Sequence, residues 1–110
     1  MIDWSRVQEL REEVGEEDFE EVVDLFLVEV DSVIDRLKTM ADRSTLGSDL
    51  HFLKGSALSL GFSAFSKLCH QGERDVSDGQ QDEIDLAPVY AVYDASRTKF
   101  LSEYKRRDGL

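Results

Sequence analysis

The chain contains one cysteine and one proline, and no apolar run comes near the roughly 20 residues that a membrane-spanning helix requires. Cys69 alone cannot close an internal disulfide, which fits a reducing compartment. The opening stretch MIDWSRVQEL lacks the basic start and apolar centre of a signal peptide, so a cytoplasmic protein is expected. Basic residues are also scarce, 13 against 24 acidic, for a net charge of −11. Phosphate-rich partners would be repelled, which argues against nucleic acid and anionic membrane surfaces. The one basic cluster, Lys105, Arg106 and Arg107, reads as a solvated helix end whose cations complement the helix dipole. No glycine-rich loop of the form G-x-x-x-x-G-K-[ST], no kinase-type loop and no placeable carboxylate pair occurs. Autonomous use of ATP is therefore not expected.

What remains is helical periodicity. At 110 residues the chain has the length of one domain, and residues 1–110 are read as a single unit. Asp3 is placed to cap a short first helix carrying Trp4, Val7, Leu10 and Val14 and ending at Gly15. Glu16, Glu17 and Asp18 open a second helix. Its stripe is Phe19, Val23, Phe26, Val30, Val33, Leu37 and Met40, widened by Val22, Leu27 and Ile34. A third helix is expected from near Ser44 to Gly61, and a fourth from Phe62 towards Arg74 with Phe65, Leu68 and Cys69 as apolar positions. The polar stretch DVSDGQQD, residues 75–82, reads as the longest loop. Asp82 or Asp85 caps the last helix, where Pro88 is tolerated in the first turn. Leu86, Tyr90, Tyr93, Arg97, Phe100 and Tyr104 form its stripe, with Val89 and Leu101 at the edges. The expected fold is all-α: an antiparallel up-down four-helix bundle with a short additional N-terminal helix.

One segment breaks the helical rules. In HFLKGSALSLGF, residues 51–62, a glycine interrupts an otherwise helical pattern, although a mid-helix glycine is less favourable than alanine by about 1 kcal/mol. Leu50 and Leu53 belong to the core face, so His51 is turned about 100° from Leu50 towards the flank. Gly47 and Gly55 stand four residues to either side, and Lys54 three residues on. The glycines clear a space around an exposed imidazole, and the lysine supplies a cation beside it. A neutral imidazole is a nucleophile near pH 7. A phosphoryl group on it would bring negative charge that Lys54 could offset.

These residues resemble the signature of histidine-containing phosphotransfer (HPt) domains. His51, Lys54, Gly55, Ser56, Ala57, Leu60 and Gly61 match that pattern, and Leu68, Cys69 and Glu73 match the following helix. Gly72 stands where the family prefers leucine, an expected loosening of the fourth helix's end. The resemblance implies a phosphocarrier of a multistep phosphorelay. It would take the group from a receiver-domain aspartate onto His51 and hand it to another response regulator. Implied partners are receiver domains and a hybrid sensor histidine kinase. The chain would need no cofactor of its own, with Mg²⁺ in the receiver's acidic pocket, and would act as a monomer.

Other readings of the same residues stand beside this one. An adaptor bundle could bind a receiver or kinase without carrying phosphate, and a phosphatase could lose the group rapidly to water. His70 beside Cys69 invites a metal, yet two histidines and one cysteine make a poor ligand set, so no metal site is expected. Ser56 and Ser59 read as small packing residues.

Overall fold

The computed structural model describes residues 1–39 and 42–108, with the side chains of the last helix described as far as Tyr104. Met40 and the side chains of Lys105, Arg106 and Arg107 lie outside the described residues. Five helices follow in order: α1 (Trp4–Val14), α2 (Glu16–Thr39), α3 (Leu46–Leu60), α4 (Ser63–Ser77) and α5 (Ala87–Asp108). Helices α2 to α5 form the up-down bundle, and α1 packs on α2 and α3.

The local chemistry explains most boundaries. Asp3 accepts a hydrogen bond from the Arg6 amide, and Gly15, at φ +87°, turns the chain out of α1. Acidic residues open α2 while Arg36 and Lys38 close it, each matching the dipole at its end. Gly61 ends α3 in the left-handed region at φ +81°. A side chain there would also meet the Asp3 carbonyl oxygen at 2.6 Å, because residues 1–3 lie against the α3–α4 turn. Asp3 N–H donates to the Gly61 carbonyl and Ser63 N–H to that of Met1, forming an isolated bridge between Ile2 and Phe62. At the start of α5, the Asp85 carboxylate, not that of Asp82, accepts from the Ala87 amide.

Four expectations are corrected. Helix α4 runs on past Arg74 to Ser77, because Val76 continues the line of Phe65, Cys69 and Gly72 against α3. The longest connection is accordingly 78–86, with Gly79 at φ +82°. On α2, Leu27 and Ile34 are buried with Phe19, Val23 and Val30, while Val22, Phe26, Val33 and Leu37 are only half-buried. The stripe is rotated because α2 faces both α3 and α5, and its core line runs between them. On α5, Val89 is buried and Tyr90 only half-buried.

Packing is densest where α3 meets α4, and Leu46, Leu50, Leu53 and Phe65 are fully buried. Towards the α3–α4 turn the core becomes aromatic: Trp4 stacks on Phe100, and Phe62 and Phe65 meet Phe100 and Tyr93. Two polar clamps join the helices. Arg36 of α2 makes two hydrogen bonds to Asp49 of α3, which also accepts from Thr45. Tyr93 and Arg97 of α5 both donate to Asp31 of α2. No described helix is long and apolar enough to cross a membrane.

Candidate functional site

His51 stands one residue beyond fully buried Leu50, and the helical rotation carries it to the surface with its side chain 73 % exposed. Its Nδ1 lies 3.1 Å from Oε2 of Glu73 on α4. The other carboxylate oxygen of Glu73 lies 2.8 Å from Nζ of Lys54. One carboxylate thus joins the imidazole and the ammonium from the facing helix.

The proton on His51 follows from that contact. A carboxylate only accepts, so the ring nitrogen facing it carries the hydrogen. In the neutral ring Nε2 then keeps its lone pair, and no other described group hydrogen-bonds to the ring. Glu73 is itself half-buried, with its side chain 21 % exposed. Burial pushes its carboxyl up, but hydrogen bonds from Lys54 and His51 outweigh this and hold it below the ordinary carboxylate value of 4.5.

The two glycines flanking His51 differ in surroundings. A methyl at Gly55 would meet nothing within 4 Å. A methyl at Gly47 would meet Val76 Cγ1 at 3.1 Å, so Gly47 also lets α4 approach. Gly72 matters more for that approach than its place in the sequence indicates. It is buried, and a methyl there would lie 2.8 Å from Leu50 Cδ1. Gly72 therefore does not loosen the end of α4. It lets the helix close on α3 one residue before Glu73, which brings that carboxylate to His51.

Glu73, which joins His51 to Lys54, has no role in the reading of the sequence. It was visible as a match in KLCHQGE, but among 24 acidic residues nothing in its charge distinguished it. Cys69 and His70 point apart: Cys69 is fully buried and His70 exposed. Burial first, and the nearby Glu73 charge second, push the Cys69 thiol up to about 12, which leaves it un-ionised and inert. Among the described residues no group of three or more ligating side chains gathers. Ser56 is buried, and the Ser59 backbone carbonyl accepts from Arg6 Nε.

A solvent-exposed imidazole, its Nδ1–H anchored and its Nε2 open beside a cation, is equipped to receive an electrophile from a second macromolecule. The family model described as "Hpt domain" matches residues 21–95, from within α2 to within α5. The chain belongs to the Hpt domain family. No curated protein and no solved structure matches it. As an Hpt domain it has a phosphotransfer role in two-component signalling and is a phosphocarrier, not a kinase. The family works with response-regulator receivers in phosphorelays, and the matched span contains His51, Lys54, Gly55 and Glu73.

Proposed function

We propose that His51 is the phosphoacceptor of a multistep phosphorelay, taking a phosphoryl group from a receiver aspartate and passing it to another receiver. Nε2 attacks phosphorus in line with the aspartyl oxygen. The Nε2–P bond forms as the P–O bond breaks, and aspartate leaves as its carboxylate. Nδ1 keeps its proton, so the ring gains positive charge, which the Glu73 carboxylate at 3.1 Å offsets. Lys54, held at 2.8 Å from the same carboxylate, supplies a cation for the phosphoryl oxygens. The second transfer reverses these steps with a different aspartate.

The observation that carries this reading is the open Nε2 of an exposed histidine whose other nitrogen is already committed to Glu73. Gly55 supports it. An exposed mid-helix glycine with nothing within 4 Å has no packing reason to be there, but it leaves the approach to His51 clear. Mg²⁺ belongs to the receiver in this scheme, and the carrier works in the cytoplasm as a monomer.

The test mixes a receiver carrying labelled aspartyl phosphate with wild-type protein and with His51→Gln. Wild type is expected to take up label that is acid-labile and alkali-stable, while His51→Gln keeps its helical circular dichroism and takes up none. Receiver binding without label in the wild type would replace the carrier with an adaptor.

A further inference from the structure

The charges around His51 balance only while it is unphosphorylated. Glu73 holds the Lys54 ammonium at 2.8 Å and the imidazole Nδ1 at 3.1 Å, so carboxylate and ammonium cancel beside a neutral ring. A phosphoryl group brings about −1.5 to −2 charges, more than the ring gains in positive charge when Nε2 accepts it. The surplus is negative, and the lysine that faces it is already shared with Glu73.

A second cation follows Glu73 in the chain. Arg74 is exposed, and its guanidinium has no hydrogen bond, ion pair or ring contact among the described residues. No other arginine with a described side chain is in this state. Arg6 pairs with Glu9 and Glu13, Arg36 with Asp49 and Arg97 with Asp31. Arg11 bonds to Gln8, and Arg43 to the carbonyls of Gln81 and Ile84. In a chain with 24 acidic residues, an arginine left without a partner needs a reason.

The packing of α4 on α3 supplies one. Arg74 and Glu73 line the same open groove of about 290 Å³, with His70, Ser77 and Asp78. The two helices run antiparallel, with Gly72 opposite Leu50 and Val76 opposite Gly47. The Arg74 backbone therefore stands about 4 Å along the axis from the level of His51, while Asp78 is a further turn away. Side chains lean towards the N-terminus of their own helix, so in this antiparallel pair His51 and Arg74 lean towards each other's level. An extended arginine reaches about 7 Å from its Cα, and neighbouring helix axes are about 8–10 Å apart. A phosphoryl group standing out from His51 is within that reach.

We infer that Arg74 is a phosphoryl-holding residue: in the phosphorylated carrier its guanidinium turns onto the phosphoryl oxygens of His51 beside Lys54 and stabilises that state between the two transfers. Its planar fork matches two oxygens of one phosphoryl group, and unlike Lys54 it is not shared with a carboxylate. The inference rests on the phosphocarrier reading above.

The experiment measures how labelled phosphate distributes at equilibrium between the carrier and a receiver domain, approached from both sides and at concentrations too low for a complex to persist. Wild type is compared with Arg74→Ala, Arg74→Lys and Lys67→Ala. Both positions are exposed, so unchanged melting temperatures are expected. A contact that only docks the receiver changes both rates alike and leaves the ratio untouched, whereas a group that holds phosphate on the free carrier shifts it. Arg74→Ala should move the ratio roughly five- to tenfold towards the receiver, and Arg74→Lys by less. Lys67→Ala removes the same charge two turns away and should move it by less than about twofold. The ³¹P resonance of the isolated phosphoprotein should shift in Arg74→Ala and stay in place in Lys67→Ala. An unchanged ratio in Arg74→Ala overturns the inference; if both rates fall together, Arg74 docks the partner and His51 still carries phosphate. If wild type takes no label from any receiver tested, the phosphocarrier reading and this inference fall together.

Discussion

Glu73 holds an imidazole N–H and an ammonium with one carboxylate, and this division sets the chemistry of the site. Glu73→Gln keeps the shape but loses the charge, and Glu73→Ala loses both. In Glu73→Ala nothing biases the His51 proton to Nδ1, so ¹⁵N shifts of the ring should show a larger Nε2–H population. Phosphoryl uptake should slow by roughly tenfold or more as the nucleophile loses its orientation. An unchanged tautomer ratio would leave Glu73 a merely structural partner. The same residue has a pH signature. Its folded pKa lies below the unfolded value, so its stabilisation is present above 4.5 and is lost as pH falls through the lower folded value. The stability difference between wild type and Glu73→Gln, measured by urea unfolding, should shrink as the pH falls below 4.5.

At the scale of the element, the glycines of α3 and α4 separate by what surrounds them. Gly55→Ala should stabilise by up to about 1 kcal/mol, since alanine is the better helix former and meets nothing. Gly47→Ala should be near neutral, that gain offsetting a contact with the half-buried tip of Val76. Gly72→Ala should destabilise, because overpacking against fully buried Leu50 costs about 1–3 kcal/mol and exceeds the gain in propensity. Urea midpoints of the three variants give the order directly. Gly55→Gln, which is compatible with a helix, should slow transfer by crowding the ring, and unchanged kinetics would remove the access role of Gly55. The Asp31 and Asp49 clamps act at this scale too, each joining α2 to a different neighbour.

Across the whole molecule the net charge of −11 is a self-repulsion that the few ion pairs do not cancel. Raising salt from about 20 to about 300 mM should therefore raise the melting temperature, as the Debye length shrinks from about 20 Å to below 8 Å. A fall would mean that the clamps on Asp31 and Asp49 dominate instead.

The helices, their caps and the exposed position of His51 were legible in the sequence, because each depends on residues within a few turns. Asp3, Gly15 and Gly61 mark helix ends through local backbone bonds, and the four-three spacing of Leu46, Leu50, Leu53, Ala57 and Leu60 turns His51 outward whatever packs beneath it. The rotation of the α2 stripe was not legible, since Leu27 and Phe26 are equally apolar and only the placement of two neighbouring helices ranks them. Nor was the work of Glu73, 22 residues from His51, or the part of Gly72 in bringing it there. An ion pair between helices depends on how closely and at what rotation they pack. That is decided by the fit of Leu50 into the space left by a missing side chain, which only the tertiary structure reveals.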